Sequence, residues 1–417
     1  MKDSINIRYI DKYCGSLICR LFSFIHLFKY RRKKKDIQNI LVMELFEMGA
    51  AIMIYPSLKY IKENKPDINI YLLTLKSMKE SWQMLGILNE ENIFTIEDKN
   101  IYKFTKSLLI TIIKLWGKNI DLIIDYELFM RISAIISFLI KSRLRAGFYK
   151  YQYEGLYRGT FYDYRCAFNQ NTHIARNFLA LTKTAINNES EYPNYKANIN
   201  SSELVMPDHI NRPDLKKTLE YKIKNKFPIY NNQKIIVVSH NVGENLSIRN
   251  YPIDMFAKVI KMILDKYDNY ILLLIGTKAD YSSGCYIEKQ VNNDRCINFS
   301  GETSSLSELF ELISMSELLI SNDNGPAHFA AITRTKTIAL FSTDSPYIYG
   351  PLGKTIILYD FFQCSPCISA LNHKNSKCSN NLCLKAIKPE KIFQLTVKLI
   401  EDNTINWGTI NNCIPYY

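Results

Sequence analysis

Glycine and long apolar runs are both scarce in this sequence. Glycine accounts for 15 of the 417 residues, about half of its average frequency, which excludes collagen-like and glycine-linker architectures. The chain has no apolar run of about 18 residues, and residues 1–12 show no signal-peptide pattern. We therefore expect a cytoplasmic protein without an ordinary transmembrane helix. Because 47% of the residues are hydrophobic and only 22% are charged, a disordered chain is also excluded.

Positive charge is concentrated near the N-terminus. The formal net charge is +13, and residues 1–40 alone contain ten Lys or Arg and three Asp. Five of these basic residues form an uninterrupted run at 31–35. Basic and aromatic residues are not interleaved in this way elsewhere, so we expect no nucleic acid partner.

The apolar residues before the basic run have helical spacing. Leu21, Phe24, Ile25 and Phe28 follow the pattern i, i+3, i+4, i+7, which places them on one face of a helix. Two interpretations remain open. The segment 20–35 lies on an anionic membrane surface, or the helix packs on the protein and leaves a solvated charge run.

Short apolar runs that suit buried parallel strands alternate with helical patterns in two series. The first series includes strands at 39–43, 68–73 and 122–125, and the second begins at 234–239. This alternation predicts an α/β protein with two doubly wound parallel sheets. We expect five segments: a basic amphipathic N-terminal extension 1–37, a domain 38–205, a linker 206–232, a domain 233–400 and a C-terminal tail 401–417.

The turn Asp323-Asn324-Gly325-Pro326 follows a predicted strand and has features of an anion site. Gly325 lets the backbone approach a ligand closely, and Pro suits the first turn of a helix. Backbone N–H groups at that helix start would hold a diphosphate. The alternative is an ordinary strand-to-helix turn with a capping Asp or Asn. His328, early in the same helix, is either a diphosphate contact or a structural histidine.

The segment from Gly301 to Pro351 resembles the signature of glycosyltransferase family 9, the heptosyltransferase-like group. The family shows Gly-x-Thr-Ser-Leu-x-Glu-Leu, Asp-Thr-Gly-Pro-x-His-x-Ala-Ala, Leu-Phe-Gly-x-Thr-x-Pro and Gly-Pro. The chain reads Gly-Glu-Thr-Ser-Ser-Leu-Ser-Glu-Leu at 301–309, Asp-Asn-Gly-Pro-Ala-His-Phe-Ala-Ala at 323–331, Leu-Phe-Ser-Thr-Asp-Ser-Pro at 340–346 and Gly-Pro at 350–351. The order and spacing agree over roughly fifty residues.

Weaker similarity extends over most of residues 38–395. The resemblance implies a GT-B fold, with two Rossmann-like domains facing a central cleft. It implies an inverting transfer of heptose or a related sugar from a nucleotide diphosphate sugar, with ADP-heptose favoured, to a lipopolysaccharide-type or lipid-linked glycan. No cofactor is expected. Together with the basic N-terminus, the resemblance implies a bacterial enzyme of lipopolysaccharide biosynthesis. We expect this enzyme to be cytoplasmic and to lie peripherally at the inner face of the cytoplasmic membrane.

The resemblance also implies the residues on each side of the site. Gly49, Ala50 and Ala51 are expected on the acceptor side. Arg249 and His328 are expected to stabilise the leaving diphosphate, because negative charge grows there during transfer. The donor side is expected to comprise Ser239, Arg249, Gly276, Thr277, Gly301, Asp323, Asn324, Gly325 and His328.

The first glycine loop departs from the family. Where the family has Gly-Asp, with the Asp taken as general base, this chain has Gly49 followed by Ala50. An inverting transfer needs a base near the acceptor hydroxyl, and Glu47 is the first substitute, ahead of Glu44 and Asp125. Two other classes stay open: a non-catalytic nucleotide-sugar or glycan-binding homologue, and a sugar-nucleotide epimerase that shares the fold.

Four cysteines near the C-terminus have spacing that suggests a structural metal. Cys364, Cys367, Cys378 and Cys383 form a Cys-x2-Cys-x10-Cys-x4-Cys array. Four thiolates could hold zinc. The irregular second pair favours thiols or a local structural loop instead. The resemblance to the family implies no catalytic metal.

Overall fold

The computed structural model of this chain contains two parallel six-stranded sheets. The structure describes residues 9–28, 36–128, 130–149, 157–189, 195–369 and 376–402. Internal contacts divide the chain into two compact units. Unit 1 ends at Val205 and unit 2 begins at Met206. Each unit contains one of the sheets.

The sheet of unit 1 has the strand order β3-β2-β1-β4-β5-β6, with every neighbouring pair parallel. This is the order of doubly wound nucleotide-binding folds, in which the chain reverses direction across the sheet between β1 and β4. The central strands are almost wholly buried, which explains their continuous apolar sequences. The strands are β1 (Asn39–Met43), β2 (Asn69–Leu75), β3 (Ile93–Ile96), β4 (Leu122–Asp125), β5 (Leu144–Tyr149) and β6 (Tyr164–Ala167).

Among the residues that the structure describes, six α-helices accompany this sheet. Side-chain caps start two of them: Asn100 accepts a hydrogen bond from the Lys103 amide, and the His173 side chain accepts one from the Ala175 amide. The helices are α1 (Ser16–Leu27), α2 (Met48–Asn64), α3 (Lys79–Gln83), α4 (Ile101–Trp116), α5 (Arg131–Leu139) and α6 (Ile174–Ile186).

The described part of the N-terminal extension packs against unit 1. Asp11 accepts hydrogen bonds from the backbone amides of Arg131 and Ile132 at the start of α5, and its carboxylate pairs with the Arg131 guanidinium at 3.4 Å. Cys19 of α1 is fully buried in a cluster with residues of α5. The helix predicted from the spacing is therefore confirmed, and one of its faces is part of the core of unit 1.

The sheet of unit 2 has the order β12-β11-β10-β7-β8-β9 and is also parallel throughout. Read in chain order, it repeats the connectivity of the first sheet, with the reversal between β7 and β10. The expected α/β class with two parallel sheets is confirmed. The strands are β7 (Lys234–Ser239), β8 (Tyr270–Ile275), β9 (Cys296–Asn298), β10 (Leu318–Asn322), β11 (Lys336–Phe341) and β12 (Thr355–Tyr359).

Eight α-helices in the described part of unit 2 accompany the second sheet. The segment 206–232, predicted as a linker, lies within unit 2, where its helix buries Leu219 and Ile223. No helix within the described ranges is long and apolar enough to cross a membrane. The helices are α7 (Pro213–Lys226), α8 (Ile253–Lys266), α9 (Tyr281–Val291), α10 (Leu306–Met315), α11 (Gly325–Thr333), α12 (Pro346–Tyr349), α13 (Leu382–Lys385) and α14 (Pro389–Glu401).

Candidate active site

Polar side chains gather in unit 2 where the connectivity reverses between β7 and β10. Ser239 is the last residue of β7, and Asn324 follows β10 by two residues. The Asn324 side-chain amide donates to the Ser239 hydroxyl at 2.8 Å and to the Asn241 carbonyl oxygen at 3.0 Å. Ligands of such sheets bind beyond the carboxyl ends of the strands at this reversal, so these residues lie at the expected ligand position of the sheet.

Helix α11 begins at this point. Asn324 occupies its N-cap position, but among the described residues its side chain makes no capping hydrogen bond. The side-chain amide oxygen of Asn324 accepts a hydrogen bond from the Ser321 hydroxyl at 2.7 Å. The side chain is therefore bonded to the ends of the strands instead of the helix amides. A nine-residue helix therefore starts without the side-chain cap that an ordinary turn would supply. Its first amides can serve an anion.

Arg249 lies beside two carboxylates on the same side of unit 2. Its guanidinium forms an ion pair with Asp344, and a second nitrogen lies 3.7 Å from an Asp323 carboxylate oxygen. Both carboxylates are buried, and Arg249 itself is mostly buried. Asp344 stands where the family pattern has Thr in Leu-Phe-Gly-x-Thr-x-Pro, a departure that the sequence analysis missed.

The residues predicted after β8 join the same group of polar side chains. The Gly276 carbonyl oxygen accepts from the Gly301 amide at 2.9 Å. Gly301 has φ +81°, and a Cβ there would lie 2.8 Å from the Lys278 side chain, so glycine is required.

Asp280 links this turn to the β7 side. One of its carboxylate oxygens accepts from the Thr277 amide and hydroxyl, at 2.7 and 2.8 Å. The other accepts from the Asn241 side chain at 2.6 Å, and the Asn241 carbonyl oxygen contacts Asn324. His328, the remaining predicted residue on this side, is half-buried one turn into α11.

A second group of polar residues lies in unit 1, at the matching reversal between β1 and β4. Glu44 follows β1, Asp125 ends β4 and Glu127 lies two residues further, and all three are buried. A Glu127 carboxylate oxygen accepts from the backbone amides of Leu45 and Phe46, at 2.8 and 3.2 Å. Glu127 therefore holds the loop that leads into α2, and no sequence motif pointed to it.

Two of these carboxyls have raised pKa values. Burial, followed by the nearby charges of Glu127 and Glu47, raises the pKa of Glu44 well above its ordinary value. Burial raises the pKa of Glu127 to about 7, although the hydrogen bond from Leu45 opposes the shift. Glu44 and Glu127 together therefore retain a proton near neutral pH.

Asp125 is a structural carboxylate rather than a base. It pairs with the buried Arg158 guanidinium and accepts from the Tyr162 hydroxyl at 2.7 Å and the Ser133 hydroxyl at 3.3 Å. Its other oxygen accepts from the Glu127 amide at 3.1 Å. A fully buried carboxylate with these partners has no accessible oxygen for a substrate proton. The expectation that Asp125 could replace the base is therefore wrong.

Glu47 immediately precedes α2 and is half-buried. Its backbone amide donates to the Glu44 side chain at 3.2 Å, which brings the first two candidate bases together. Gly49 is half-buried in the first turn of the helix. Ala50 is nearly buried and Ala51 is fully buried, so Ala51 cannot line an acceptor site as predicted.

The cysteine array does not form a metal site. All four cysteines lie in described ranges, Cys364 and Cys378 are exposed, and Cys383 is buried. In those ranges no group of three or more His, Cys, Asp or Glu is arranged to hold a metal ion. The zinc interpretation is not supported.

The family can now be stated. The sequence model described as "Glycosyltransferase family 9 (heptosyltransferase)" matches residues 111–377, more than half of the chain. The chain belongs to glycosyltransferase family 9. The resemblance stated from the motifs is confirmed. The prediction of a glycosyltransferase of the heptosyltransferase type is confirmed as well.

Relatives of known activity are distant in sequence. Lipopolysaccharide heptosyltransferase 1 of Campylobacter coli is 23% identical over 366 residues, which cover 87% of this chain and 99% of that enzyme. Lipooligosaccharide heptosyltransferase 2 of Campylobacter jejuni is 24% identical over 193 residues, 46% of this chain and 58% of that enzyme. The chain thus spans nearly all of one relative and about half of the other.

Solved structures share the fold at lower identity. The Escherichia coli ADP-heptose LPS heptosyltransferase II has a TM-score of 0.64 at 17% identity, covering 87% of this chain and 99% of that chain. The Veillonella parvula family 9 glycosyltransferase has a TM-score of 0.68 at 16% identity, covering 89% and 99%. The expected GT-B fold class is confirmed.

Proposed function

We propose that this enzyme transfers a heptose or related sugar, with inversion, from a nucleotide diphosphate sugar to a lipopolysaccharide-type or lipid-linked glycan acceptor. The observation that carries the proposal is the polar group at the reversal of the second sheet. There, the family motif at 323–325 contacts the end of β7, and α11 starts without a side-chain cap. The donor nucleotide is proposed to be ADP, in line with the ADP-heptose named for the Escherichia coli relative.

The donor diphosphate would be held by two features of unit 2. The first amides of α11 would donate to its oxygens, helped by the helix dipole. Arg249 would supply the positive charge, since a guanidinium has five N–H donors and can serve Asp344 and a phosphate together. His328 is proposed to contact the same diphosphate. These groups lower the barrier by stabilising charge on the leaving phosphate.

The acceptor hydroxyl needs a base, and Glu47 is the proposed one. It is the least buried of the candidate carboxyls and lies beside Glu44 at the start of α2. Its carboxylate would remove the hydroxyl proton as the acceptor oxygen attacks the anomeric carbon from the face opposite the diphosphate. Displacement from that face inverts the anomeric configuration.

A non-catalytic nucleotide-sugar or glycan-binding role is the second candidate, because Ala50 replaces the family's aspartate. The two candidates differ in one observable. A non-catalytic homologue binds the nucleotide but neither transfers nor hydrolyses the donor sugar, whereas the enzyme consumes ADP-heptose when an acceptor is supplied.

A peripheral position at the inner face of the cytoplasmic membrane is proposed from α1. Its buried face contains Cys19 and Ser23, while Phe24 and Phe28 on another face are 59% and 76% exposed. The two interpretations of this helix are therefore compatible. The basic run at 31–35 lies outside the described residues, but its charge suits anionic lipid.

Calorimetric titration with ADP, UDP, GDP and CMP tests the donor site. We expect selective binding of ADP. Arg249→Ala should weaken it about 10- to 100-fold, because a hydrogen bond to a charged group contributes roughly 1.5–3 kcal/mol and the variant leaves two carboxylates near the diphosphate. Arg334→Ala, which changes an exposed arginine of the same unit, is the control. Binding of none of the four nucleotides would refute the donor site, and equal affinity in the Arg249 variant would remove that residue from it.

A further inference from the structure

Helix α4 of unit 1 is apolar on two opposite faces. One face buries Phe104, Ile112 and Leu115 in the core beside the sheet. The other face is exposed to solvent, although an ordinary surface helix has a polar face there. Packing within unit 1 therefore does not explain why the exposed face of α4 is apolar.

The exposed residues form one stripe along the helix. Tyr102, Leu109, Ile113 and Trp116 are 72%, 57%, 63% and 40% exposed. Together with Lys106 they follow the spacing i, i+4, i+7, i+11, i+14, which places all five on one side of an α-helix. We call this set the α4 stripe.

The charged residues within α4 have a single sign. Lys103, Lys106 and Lys114 are exposed on the helix, and α4 contains no Asp or Glu. Lys118 follows the last turn, and the Lys141 ammonium lies 4.4 Å from the Trp116 ring centroid. An apolar stripe beside lysines, with an aromatic residue near each end, is typical of helices that lie in the interface of an anionic membrane.

The stripe is connected to α1 through α5. The Trp116 indole N–H donates to the Leu139 carbonyl oxygen at 3.1 Å, and Leu139 is itself exposed. The preceding residue, Phe138, stacks on Phe22 of α1 with ring centroids 4.3 Å apart. Both helices with exposed apolar faces therefore contact adjacent residues at the end of α5.

We propose that the α4 stripe is a second lipid-contacting surface, which binds anionic phospholipid through its lysines and places Leu109 and Ile113 at the headgroup boundary. A second copy of this chain fits the charges less well. A two-fold contact between copies brings the same patch together, and α4 would set lysines against lysines with no carboxylate of its own to pair them. The inference concerns the surface alone and does not depend on which sugar is transferred.

Vesicle co-sedimentation of the full chain tests the proposal. The vesicles are phosphatidylcholine alone or mixed with phosphatidylglycerol. Three variants are compared with the wild type: Leu109→Glu with Ile113→Glu on α4, Phe24→Glu with Phe28→Glu on α1, and Ile229→Glu at an exposed position of unit 2. All the substituted residues are exposed, so folding should be preserved, and circular dichroism with ADP titration checks this.

We expect the wild type and the Ile229 variant to bind only the anionic vesicles. The α4 variant should bind at least about tenfold more weakly, because two apolar contacts are replaced by two repelled charges. Replacing Lys103, Lys106 and Lys114 by Gln should weaken binding and reduce its sensitivity to salt.

Wild-type affinity in the α4 variant would overturn the proposal while leaving the α1 contact and the donor site intact. Failure of the wild type to bind any vesicle would overturn both lipid contacts but not the transferase. A wild-type dimer in light scattering that becomes monomeric in the α4 variant, with vesicle binding unchanged, would assign the stripe to a second copy instead.

Discussion

The buried carboxyl of Glu127 predicts a specific dependence of stability on pH. Its pKa is raised from 4.5 to about 7 in the folded protein, chiefly by burial. The folded state therefore binds more protons than the unfolded state between these values, so unfolding becomes easier as pH rises through this range. The stabilisation is fully present below pH 4.5 and is lost as the pH rises through about 7. A shift of this size corresponds to roughly 3 kcal/mol.

Glu127→Gln removes the titration but keeps the contacts. The amide oxygen of Gln can still accept from the Leu45 and Phe46 amides that Glu127 now binds. The variant and the wild type should therefore have similar free energies of unfolding near pH 4.5. By pH 8 the variant should be more stable than the wild type by roughly 3 kcal/mol. Other titrating groups contribute to both proteins and largely cancel in the difference.

Urea unfolding between pH 4.5 and 8 measures this difference. Trp82 and Trp116 both lie in unit 1 and report its unfolding by fluorescence, and Trp407→Phe in every protein removes the third tryptophan. Glu91→Gln, at an exposed position of the same unit, is the matched control and should not change the pH dependence. A constant difference between variant and wild type across this range would refute the assignment of a buried, proton-retaining carboxyl to Glu127.

Two other substitutions test separate parts of unit 1. Glu47→Gln should abolish sugar transfer and leave ADP affinity unchanged, with Glu63→Gln at the end of α2 as the control; an active Glu47 variant would exclude that residue as the base. Asp11→Ala should lower the free energy of unfolding by about 3–5 kcal/mol, because it leaves the buried Arg131 guanidinium without its carboxylate. A loss below about 1 kcal/mol in urea titration would show that the N-terminal extension is not part of the core.

The strands predicted from sequence were those at the centres of the sheets. The bounds of β1, β4 and β7 agree with the prediction, because strands buried on both faces read as continuous apolar runs. The prediction missed β3, β6, β9 and β12, which are the outermost strands of the two sheets. These strands have three to five residues, and each pairs with one neighbour only. Short outer strands have less apolar sequence to reveal them.

The turn into α11 could be predicted because its residues belong to one local motif. Asp323, Asn324 and Gly325 are consecutive, and the turn chemistry of a strand running into a helix is visible in them. The cluster of buried carboxyl side chains in unit 1 could not be predicted in the same way. Arg158 is 33 residues from Asp125 along the chain, and only the folded arrangement of β4 and the residues before β6 places them side by side.

Two of the departures from the family pattern in unit 2 contact each other. The segment Arg-Asn-Tyr-Pro at 249–252 resembles the family's Lys-Arg-Trp-Pro, so Arg249 stands where the family commonly has Lys. Asp344 stands where the family has Thr, and the structure joins the two residues in one ion pair. A lysine ammonium paired with a buried carboxylate would have much of its charge committed there. A guanidinium can hold the carboxylate with one edge and keep other N–H donors for a diphosphate. The arginine thus allows the site to tolerate an additional buried negative charge, and Asp344 in turn fixes the guanidinium's orientation. With lysine at 249, Asp344 would occupy a single ammonium, and with threonine at 344, Arg249 would keep Asp323 as its nearby carboxylate. The arrangement with both Arg249 and Asp344 therefore has the most donors left for a phosphate and the best-fixed guanidinium.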